Sequence, residues 1–286
     1  MANWVYLNGE FISSEDAKIS VFDHGFLYGD GIFETMRSYN GIIFMLSEHL
    51  DRLYRSAEEL ELNIPWSREE LTKALSRLIS LNGDNQYIRM SITRGPGPVG
   101  IDPRLCPKPT IVAFSKEINI DERLYRKGAA AVFVKTPRNL ALAARPDIKS
   151  LNFLNNILAK QEVTGSGADE GFMLNYKGQV TEGTVSNIFM IRDKCVFTPS
   201  PACGLLQGIA RMKVMEIARE IGHRVEETII TPEDFINADE VFYTNSGSEI
   251  IPVVILDGRR VGDGNPGKIT LELLKRYRVY AYNVRG

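Results

Sequence analysis

The chain has 286 residues, 44% of them hydrophobic, and a formal net charge of -2. This length suits two modest domains or one large one with a substantial core, and the interspersed charges form no basic face that would suit nucleic acid. The three cysteines, Cys106, Cys195 and Cys203, are not spaced as metal ligands, and we expect neither a disulfide framework nor a metal site. No apolar run is long enough to span a bilayer and no signal peptide is recognisable, so a cytoplasmic location is the default expectation.

Strand and helix signals alternate along the first 118 residues. The dipeptides Asn8-Gly9 and Asn40-Gly41 predict two tight turns, because asparagine and glycine tolerate the positive φ angles that such turns require. Apolar residues at helical spacing predict two helices, and the second opens with a capping-box pattern. The predicted elements are a hairpin over Trp4 to Ile12, a strand from Ile32 to Tyr39 that returns through Ile42 to Met45, helices from Leu46 to Leu60 and from Ser67 to Leu81, and strands from Tyr87 to Arg94 and from Thr110 to Phe114.

One predicted strand carries polar residues where a core strand would carry apolar ones. Alternation places four of its residues on one face: Tyr87, Arg89, Ser91 and Thr93. Such a face is either exposed or lines a polar cavity. The loop from Gly95 to Pro103 that follows is rich in glycine and proline, which predicts a rigid rim of the kind found over binding sites.

The second half of the chain is predicted to begin after a polar connection from Ser115 to Lys127. Lys149 is expected at the mouth of a helix whose buried face is formed by apolar residues at helical spacing, namely Leu151, Leu154, Ile157 and Leu158. The other predicted elements are strands from Arg126 to Lys135, Gly171 to Asn175 and Ser186 to Ile191, a helix from Ala210 to Ile221, a strand from Glu240 that breaks into a small polar turn, and a terminal helix from Lys268 to Tyr280.

Lys149 and Glu182 together point to one kind of chemistry. A lysine at the end of a buried element can be desolvated, which disfavours the ammonium and frees a nucleophilic amine for a Schiff base with a carbonyl cofactor. Pyridoxal 5'-phosphate (PLP) also needs an anionic partner at its ring nitrogen, and Glu182 suits that role. Taken singly, Lys149 is more often a solvated lysine and Glu182 a turn carboxylate before a strand.

Six motifs, spread in order along nearly the whole chain, make the combination of Lys149 and Glu182 specific to one group of enzymes. They are Tyr28-Gly-Asp-Gly-Ile-Phe-Glu-Thr, Glu48-His-Leu-Asp-Arg-Leu, Ile148-Lys-Ser-Leu-Asn-Phe-Leu-Asn-Asn, Thr181-Glu-Gly-Thr-Val-Ser-Asn-Ile-Phe, Leu206-Gln-Gly-Ile-Ala-Arg and Glu240-Val-Phe-Tyr-Thr-Asn-Ser-Gly-Ser-Glu-Ile-Ile-Pro-Val. With these motifs the sequence resembles the PLP enzymes of fold type IV, which include branched-chain aminotransferases, D-amino-acid aminotransferases and aminodeoxychorismate lyases.

The resemblance implies an α+β (mixed α/β) fold with a two-domain, D-amino-acid aminotransferase-like architecture. The expected divisions are a small N-terminal domain over residues 1–118, a linker over 119–126 and a large C-terminal domain over 127–286 that carries the PLP lysine. A homodimer is also implied, with small-molecule amino acid and 2-oxo acid substrates as partners and neither nucleic acid nor a membrane.

The resemblance also implies roles for individual residues. Lys149 is the expected catalytic residue, and Arg52 suits the phosphate because a guanidinium donates paired hydrogen bonds. Amides at a helix N-terminus suit the same anion. The cofactor-binding set is Arg52, Lys149, Glu182, Leu206, Ile209, Ala210 and Ser246. The substrate-binding set is Tyr28, Phe33, Tyr87, Arg89, Gly247 and Ser248.

The main hypothesis is transfer of an amino group between a branched-chain or other hydrophobic L-amino acid and 2-oxoglutarate. Tyr87 and Arg89 with the loop Val-Gly-Ile-Asp-Pro are similar to branched-chain aminotransferases, and Val99 and Ile101 stand where D-amino-acid aminotransferases carry a carboxylate clamp. Phe153, in place of a tyrosine, keeps a D-amino-acid aminotransferase open as an alternative. Thr35, in place of a glycine, keeps open an aminodeoxychorismate lyase that releases pyruvate. A non-catalytic ligand-binding protein is the alternative from another class, and it would be colourless.

Overall fold

The computed structural model describes residues 3–143 and 145–283. The strands are β1 (Trp4–Leu7), β2 (Glu10–Ser13), β3 (Gly31–Tyr39), β4 (Ile42–Ile43), β5 (Gln86–Thr93), β6 (Thr110–Glu117), β7 (Ala129–Phe133), β8 (Glu170–Leu174), β9 (Val180–Gly183), β10 (Asn187–Arg192), β11 (Cys195–Pro199), β12 (Val225–Thr228), β13 (Glu240–Asn245), β14 (Glu249–Leu256) and β15 (Arg259–Arg260). The helices are α1 (His24–Tyr28), α2 (Leu46–Glu59), α3 (Arg68–Asn82), α4 (Glu122–Lys127), α5 (Leu154–Ser166), α6 (Ile209–Glu220), α7 (Pro232–Ile236) and α8 (Lys268–Tyr282). The predicted mixed α/β fold class is confirmed.

The described residues divide into two compact units. The first contains the residues up to 119, residues 148–152 and those after 280, and the second contains the rest. Residues 148–152, which include Lys149, therefore belong to the unit formed by the N-terminal part of the chain. The domain limits from the sequence stay a prediction.

The first unit is built on an antiparallel sheet with the strand order β2-β1-β6-β5-β3-β4. Helix α2 buries Leu50, Leu53 and Ala57 in the core, the spacing that predicted it. Helix α3 begins with the predicted capping box, in which Ser67 and Glu70 exchange side-chain and backbone hydrogen bonds. Both helices and both turns of this half are thus confirmed.

Strand β5 separates an apolar face from a polar face, as its alternation predicted. Ile88, Met90 and Ile92 are completely buried in the core, whereas Tyr87 and Arg89 are only half-buried on the other side. The polar face of this strand is therefore available for contacts outside the core.

The second unit is built on a mixed sheet with the strand order β12-β11-β10-β13-β14-β7-β8-β9, and β15 pairs with β14. Two stretches differ from the prediction. Strand β6 continues to Glu117 and α4 spans Glu122–Lys127, so the region predicted as a polar connection from Ser115 to Lys127 is largely regular structure. Alternation in β6 and an aspartate cap at Asp121 account for both elements.

The helix predicted next to Lys149 begins later and faces the other way. Helix α5 begins at Leu154, and it buries Asn156, Ala159 and Val163. Leu154, Ile157 and Leu158, the predicted buried face, are 67%, 52% and 44% exposed. The prediction was wrong because Ala159 and Val163 also recur at helical spacing, and their small side chains let the helix pack closely on the sheet through Val134 and Met173.

Candidate active site

Lys149 lies on an extended segment that runs beside β3. The amide of Phe33 donates to the Lys149 carbonyl at 3.0 Å, and the Leu151 amide donates to the Gly31 carbonyl at 2.9 Å. Gly31 makes this approach possible, since a Cβ there would lie 2.6 Å from the Ile92 carbonyl oxygen and 2.7 Å from a Leu151 methyl carbon. Lys149 is therefore positioned by strand pairing, and the prediction that a helix end positions it was wrong.

The Lys149 amine and Arg89 share one aromatic neighbour. The amine nitrogen lies 4.4 Å from the centroid of the Phe33 ring, and the guanidinium carbon of Arg89 lies 3.6 Å from it. Burial lowers the pKa of the Arg89 guanidinium, and the neighbouring Tyr87 opposes that shift through its charge and a hydrogen bond. Four residues predicted for the site, two of them basic, thus meet on the polar side of this sheet.

Arg52 is held by a buried carboxylate that the sequence did not single out. Glu34 on β3 is completely buried, and its two oxygens accept hydrogen bonds from Arg52 Nε and Nη2, each at 2.7 Å. His49 Nδ1 lies 2.7 Å from the same carboxylate. Because His49 and Arg52 are three residues apart, they lie on one face of α2 and reach Glu34 together.

The charges in this cluster fix its protonation. Burial raises the pKa of the Glu34 carboxyl, but Arg52 and His49 outweigh burial and hold that pKa well below its ordinary value. Burial lowers the pKa of His49, opposed by Glu34, and the charges of Arg52 and Lys149 lower it further. Glu34 is therefore an anion, and its charge is balanced by Arg52.

Tyr28 ties helix α1 to the predicted rim loop. Its hydroxyl oxygen accepts a hydrogen bond from the Gly100 amide at 3.1 Å, and its ring meets the His24 ring edge-on at 5.0 Å between centroids. Two apolar side chains of the loop, Val99 and Ile101, are 76% and 86% exposed. The loop therefore presents apolar surface while one end of it is fixed to Tyr28.

Arg94 anchors the turn after Tyr28. Its guanidinium makes two hydrogen bonds to the Asp30 carboxylate and one each to the carbonyls of Leu60 and Glu61 at the end of α2. A buried arginine with this many acceptors is fully compensated. The turn that follows Tyr28 is thus held to the end of the helix that carries Arg52.

Glu182 in the second unit is paired with an arginine that the sequence did not reveal. Arg138 Nε donates to one carboxylate oxygen at 2.6 Å, and the Leu206 amide donates to the other at 3.0 Å. The side chains of Arg138 and Glu182 are only 9% and 7% exposed. Glu182 lies on the short strand β9, although we expected a turn. The signal that could have identified Arg138 is physical, since a buried carboxylate requires a cation or several donors.

The predicted phosphate amides lie at the first turn of α6. The helix begins at Ile209, followed by Ala210, and its N-cap is Gly208, which has no side chain to accept from these amides. A Cβ at Gly208 would lie 2.1 Å from Asn187 Oδ1, so a larger residue would disturb this packing. The backbone amides of Ile209 and Ala210 therefore donate no hydrogen bond to a side chain at position 208.

The turn between β13 and β14 contains the three remaining predicted residues, Ser246, Gly247 and Ser248. Asn245 Oδ1 accepts hydrogen bonds from the Gly247 amide at 3.0 Å, the Ser248 amide at 2.8 Å and the Ser248 hydroxyl at 2.9 Å. The two amides predicted to receive a substrate carboxylate thus already donate to an asparagine oxygen. Asn245 was not among the residues predicted for the site, although asparagine side chains frequently bond the backbone two residues on.

Residues 3–143 and 145–283 offer little to two other kinds of site. Neither a group of three or more His, Cys, Asp or Glu side chains that could hold a metal ion nor a helix long and apolar enough to cross a membrane is present in these ranges.

Comparison with known proteins decides the family. The model of the Amino-transferase class IV family matches residues 31–256, which is most of the chain. The chain belongs to the class IV aminotransferase family. As a member of this family it is a transaminase, and the resemblance to fold type IV enzymes is confirmed.

Relatives of this class IV aminotransferase are named for several different activities. A putative branched-chain-amino-acid aminotransferase of Methanocaldococcus jannaschii is 43% identical, over 96% of this chain and 95% of the relative. A D-alanine aminotransferase of Bacillus licheniformis is 35% identical over 93% of both chains, and an aminodeoxychorismate lyase of Bacillus subtilis is 33% identical over 96% and 93%.

Solved structures confirm the fold. A T.th. branched-chain amino acid aminotransferase with pyridoxamine 5'-phosphate has a TM-score of 0.95 and 33% identity, and the match covers 100% of this chain and 96% of that one. The branched-chain amino acid aminotransferase of Escherichia coli has a TM-score of 0.94 and 29% identity, with 98% and 94% covered. This class IV aminotransferase thus has the mixed α/β fold of those enzymes.

Proposed function

We propose that this class IV aminotransferase uses PLP to move an amino group between a branched-chain or other hydrophobic L-amino acid and 2-oxoglutarate. The observation that carries the proposal is the group formed by the Lys149 amine and the Arg89 guanidinium around the Phe33 ring. An amine beside an apolar ring suits reaction at the α-carbon of a hydrophobic amino acid, and the guanidinium suits a carboxylate.

The residues of the chain fit PLP by their chemistry. Lys149 would hold it covalently, and Glu182 would hold the proton of the ring nitrogen, because Arg138 keeps an opposite charge next to that carboxylate. Arg52 and Ser246, with the amides of Ile209 and Ala210 and with Leu206 nearby in sequence, would hold the phosphate end. When bound, PLP supplies an electron sink for charge that develops on the substrate.

Lys149 and the residues around it would supply proton transfer and positioning. Once the substrate amine has displaced it from the cofactor, Lys149 would move the proton between the substrate α-carbon and the cofactor, acting as the general acid and base. Phe33 restricts where the amine can lie, and Glu34 fixes Arg52 so that its guanidinium is oriented before an anion arrives.

The residues proposed to bind the substrate form an apolar group and a polar group. Phe33 and Tyr28 would face the aliphatic side chain, and apolar area removed from water stabilises such a complex by about 25 cal/mol per Å². Tyr87 and Arg89 would bind a carboxylate, and the amides of Gly247 and Ser248 would bind the α-carboxylate. The exposed Val99 and Ile101 support an apolar substrate over a charged one.

A second candidate function follows from Thr35. In the register of β3 and β5, Thr35 is directly opposite Arg89, so the two side chains are on the same face of the sheet. This neighbour supports the aminodeoxychorismate lyase alternative, in which pyruvate is released. The identity to the lyase of Bacillus subtilis supports it as well.

A homodimer is part of the proposal. Leu154, Ile157 and Leu158 form an exposed apolar face on α5, and such a face is favourable only when another surface covers it. A second copy of the chain is the occupant that the family resemblance implies. Sedimentation at equilibrium should give twice the chain mass of 32.1 kDa, and Ile157→Glu should shift the result toward one chain mass.

Absorbance spectroscopy of the PLP-loaded protein tests the function. L-leucine, D-alanine and aminodeoxychorismate are added in separate cuvettes, with pyruvate assayed in the last and glutamate assayed after 2-oxoglutarate is added to the first. Loss of the cofactor band with L-leucine, followed by glutamate formation, is the expected result. Loss with D-alanine alone, or pyruvate release without loss of the band, would replace the proposal by one of the alternatives. Lys149→Ala should abolish the band and turnover, and normal turnover in that variant would contradict the role of Lys149.

A further inference from the structure

We propose that Asn245 competes with the substrate for the carboxylate-binding amides and thereby sets the affinity of the enzyme for its substrate. This inference rests on the proposed function, because it concerns the amides of Gly247 and Ser248 that the proposal assigns to the substrate carboxylate. In the structure both amides donate to Asn245 Oδ1, at 3.0 Å and 2.8 Å. A carboxylate can use these two amides only after the Asn245 side chain has turned away.

The chemistry favours exchange of one acceptor for the other. An ionised carboxylate accepts stronger hydrogen bonds from amides than a neutral side-chain carbonyl does. A substrate can therefore displace Asn245 Oδ1, but it gains only the difference between the two sets of bonds. Asn245 is half-buried, so its side chain is not enclosed by the core.

The turn is held in place by contacts that do not involve Asn245. Tyr125 donates from its hydroxyl to the Ser248 carbonyl at 3.1 Å, and Thr244 donates from its hydroxyl to the Glu249 carbonyl at 2.5 Å. The Glu249 carboxylate is fixed in turn by Arg278 Nε at 2.7 Å. The backbone of the turn is thus supported on both sides when Asn245 is changed, and the side chain acts on the amides themselves.

Calorimetric titration of the PLP-loaded enzyme with 4-methylvalerate, an unreactive carboxylate, measures the competition directly. Asn245→Gly removes the competing oxygen, and we expect the Kd of this variant for 4-methylvalerate to fall about three- to tenfold. A change of that size corresponds to about one net hydrogen bond. Asn245→Asp places a competing charge at the same atoms, and we expect its Kd to rise at least about tenfold. The neutral amide of the same acid is the control ligand for Asn245→Asp, and its affinity should fall less than that of 4-methylvalerate because it carries no charge for the aspartate to repel.

A second variant keeps the proposal testable if Asn245→Gly fails to fold. Ser248→Ala removes the hydroxyl that holds Asn245 Oδ1 at 2.9 Å but keeps both amides, and we expect a smaller fall in Kd. Unchanged or weaker binding by Asn245→Gly and Ser248→Ala, with unfolding temperatures equal to that of the wild type, would overturn the proposal. Failure of the proposed function is distinguishable, because it appears as no loss of the cofactor band with any amino acid, whatever the Kd values are.

Discussion

Replacing Glu34 with glutamine tests whether the buried carboxylate holds Arg52 in place. The variant preserves the volume of the side chain but removes the charge that both oxygens present to Arg52 at 2.7 Å. Arg52 is only 4% exposed, and its charge would lose the compensating anion in a poorly solvated position. Removing one partner of a buried ion pair costs about 3 to 5 kcal/mol, and we expect the free energy of unfolding to fall by that amount.

Urea unfolding followed by tryptophan fluorescence is the appropriate assay. Both tryptophans, Trp4 and Trp66, belong to the unit that contains Glu34, so the signal reports on that unit. Glu58→Gln is the matched control, because it makes the same chemical change at an exposed position of α2 and should cost less than about 0.5 kcal/mol. Equal unfolding midpoints for Glu34→Gln and Glu58→Gln would refute the reasoning.

The same cluster gives a pH dependence whose sign follows from linkage. The pKa of Glu34 in the folded protein lies below the ordinary value of 4.5, so the folded state binds fewer protons than the unfolded state in acid. The stabilisation by Glu34 is complete above about pH 4.5 and is lost as the pH falls from there toward the lowered pKa. The difference in stability between the wild type and Glu34→Gln should therefore shrink on acidification, and a difference that grows would contradict the assignment.

Three further substitutions test contacts that are visible in the structure but not in the sequence. Arg138→Met leaves Glu182 buried without its cation, and we expect a loss of about 3 to 5 kcal/mol in unfolding free energy together with weaker PLP binding, partly restored in Arg138→Lys. Tyr28→Phe removes the acceptor for the Gly100 amide, so steady-state kinetics should show a KM for the amino donor raised about two- to fivefold at little changed kcat. Arg94→Met leaves the acceptors around it unpaired, and calorimetry should show destabilisation by about 2 to 4 kcal/mol.

Each of these three results has a defined contrary outcome. Wild-type stability and PLP affinity in Arg138→Met would mean that the contact with Glu182 is incidental. A lower kcat at unchanged KM in Tyr28→Phe would assign its hydroxyl to the chemical step, because removing an interaction made only in the transition state lowers kcat. An unchanged unfolding temperature in Arg94→Met would mean that water replaces the guanidinium without cost.

Local signals in the sequence predicted most of the elements because they are decided locally. The turn at Asn8-Gly9 and the capping box at Ser67 depend on residues within four positions of each other, and both form as expected. The alternation of β5 also survives folding, since a strand with one apolar face has a single favourable register against a core.

The helix after Lys149 shows where such signals are ambiguous. Periodicity identifies a helix but does not decide which of two apolar stripes faces the sheet. In α5 the stripe with Ala159 and Val163 is buried, and the larger stripe with Leu154 and Ile157 is exposed. An apolar stripe that stays exposed on one chain and a stripe that enters its core carry the same residue types, so hydrophobicity alone cannot separate them.

The candidate site was predictable in residue type but not in pairing. Lys149 and Glu182 belong to recognisable motifs, whereas Glu34, Arg138 and Asn245 became visible only through their contacts. Arg138 and Glu182 are 44 positions apart in sequence, and no local pattern encodes which arginine will approach a given carboxylate. Such partners are selected by the cost of burying a charge alone, which depends on the three-dimensional environment.

The charged side chains of the candidate site agree in sign with the ligand groups proposed for them. In the first unit the buried carboxylate of Glu34 is paired with Arg52, and the Lys149 amine and the Arg89 guanidinium lie around the Phe33 ring, where basic groups suit phosphate and carboxylate groups. In the second unit Arg138 neutralises Glu182 through one carboxylate oxygen, and the Leu206 amide donates to the other. An ionised carboxylate offers about four lone-pair positions, so the charge and the acceptor capacity of Glu182 agree with the proposed contact to a protonated ring nitrogen.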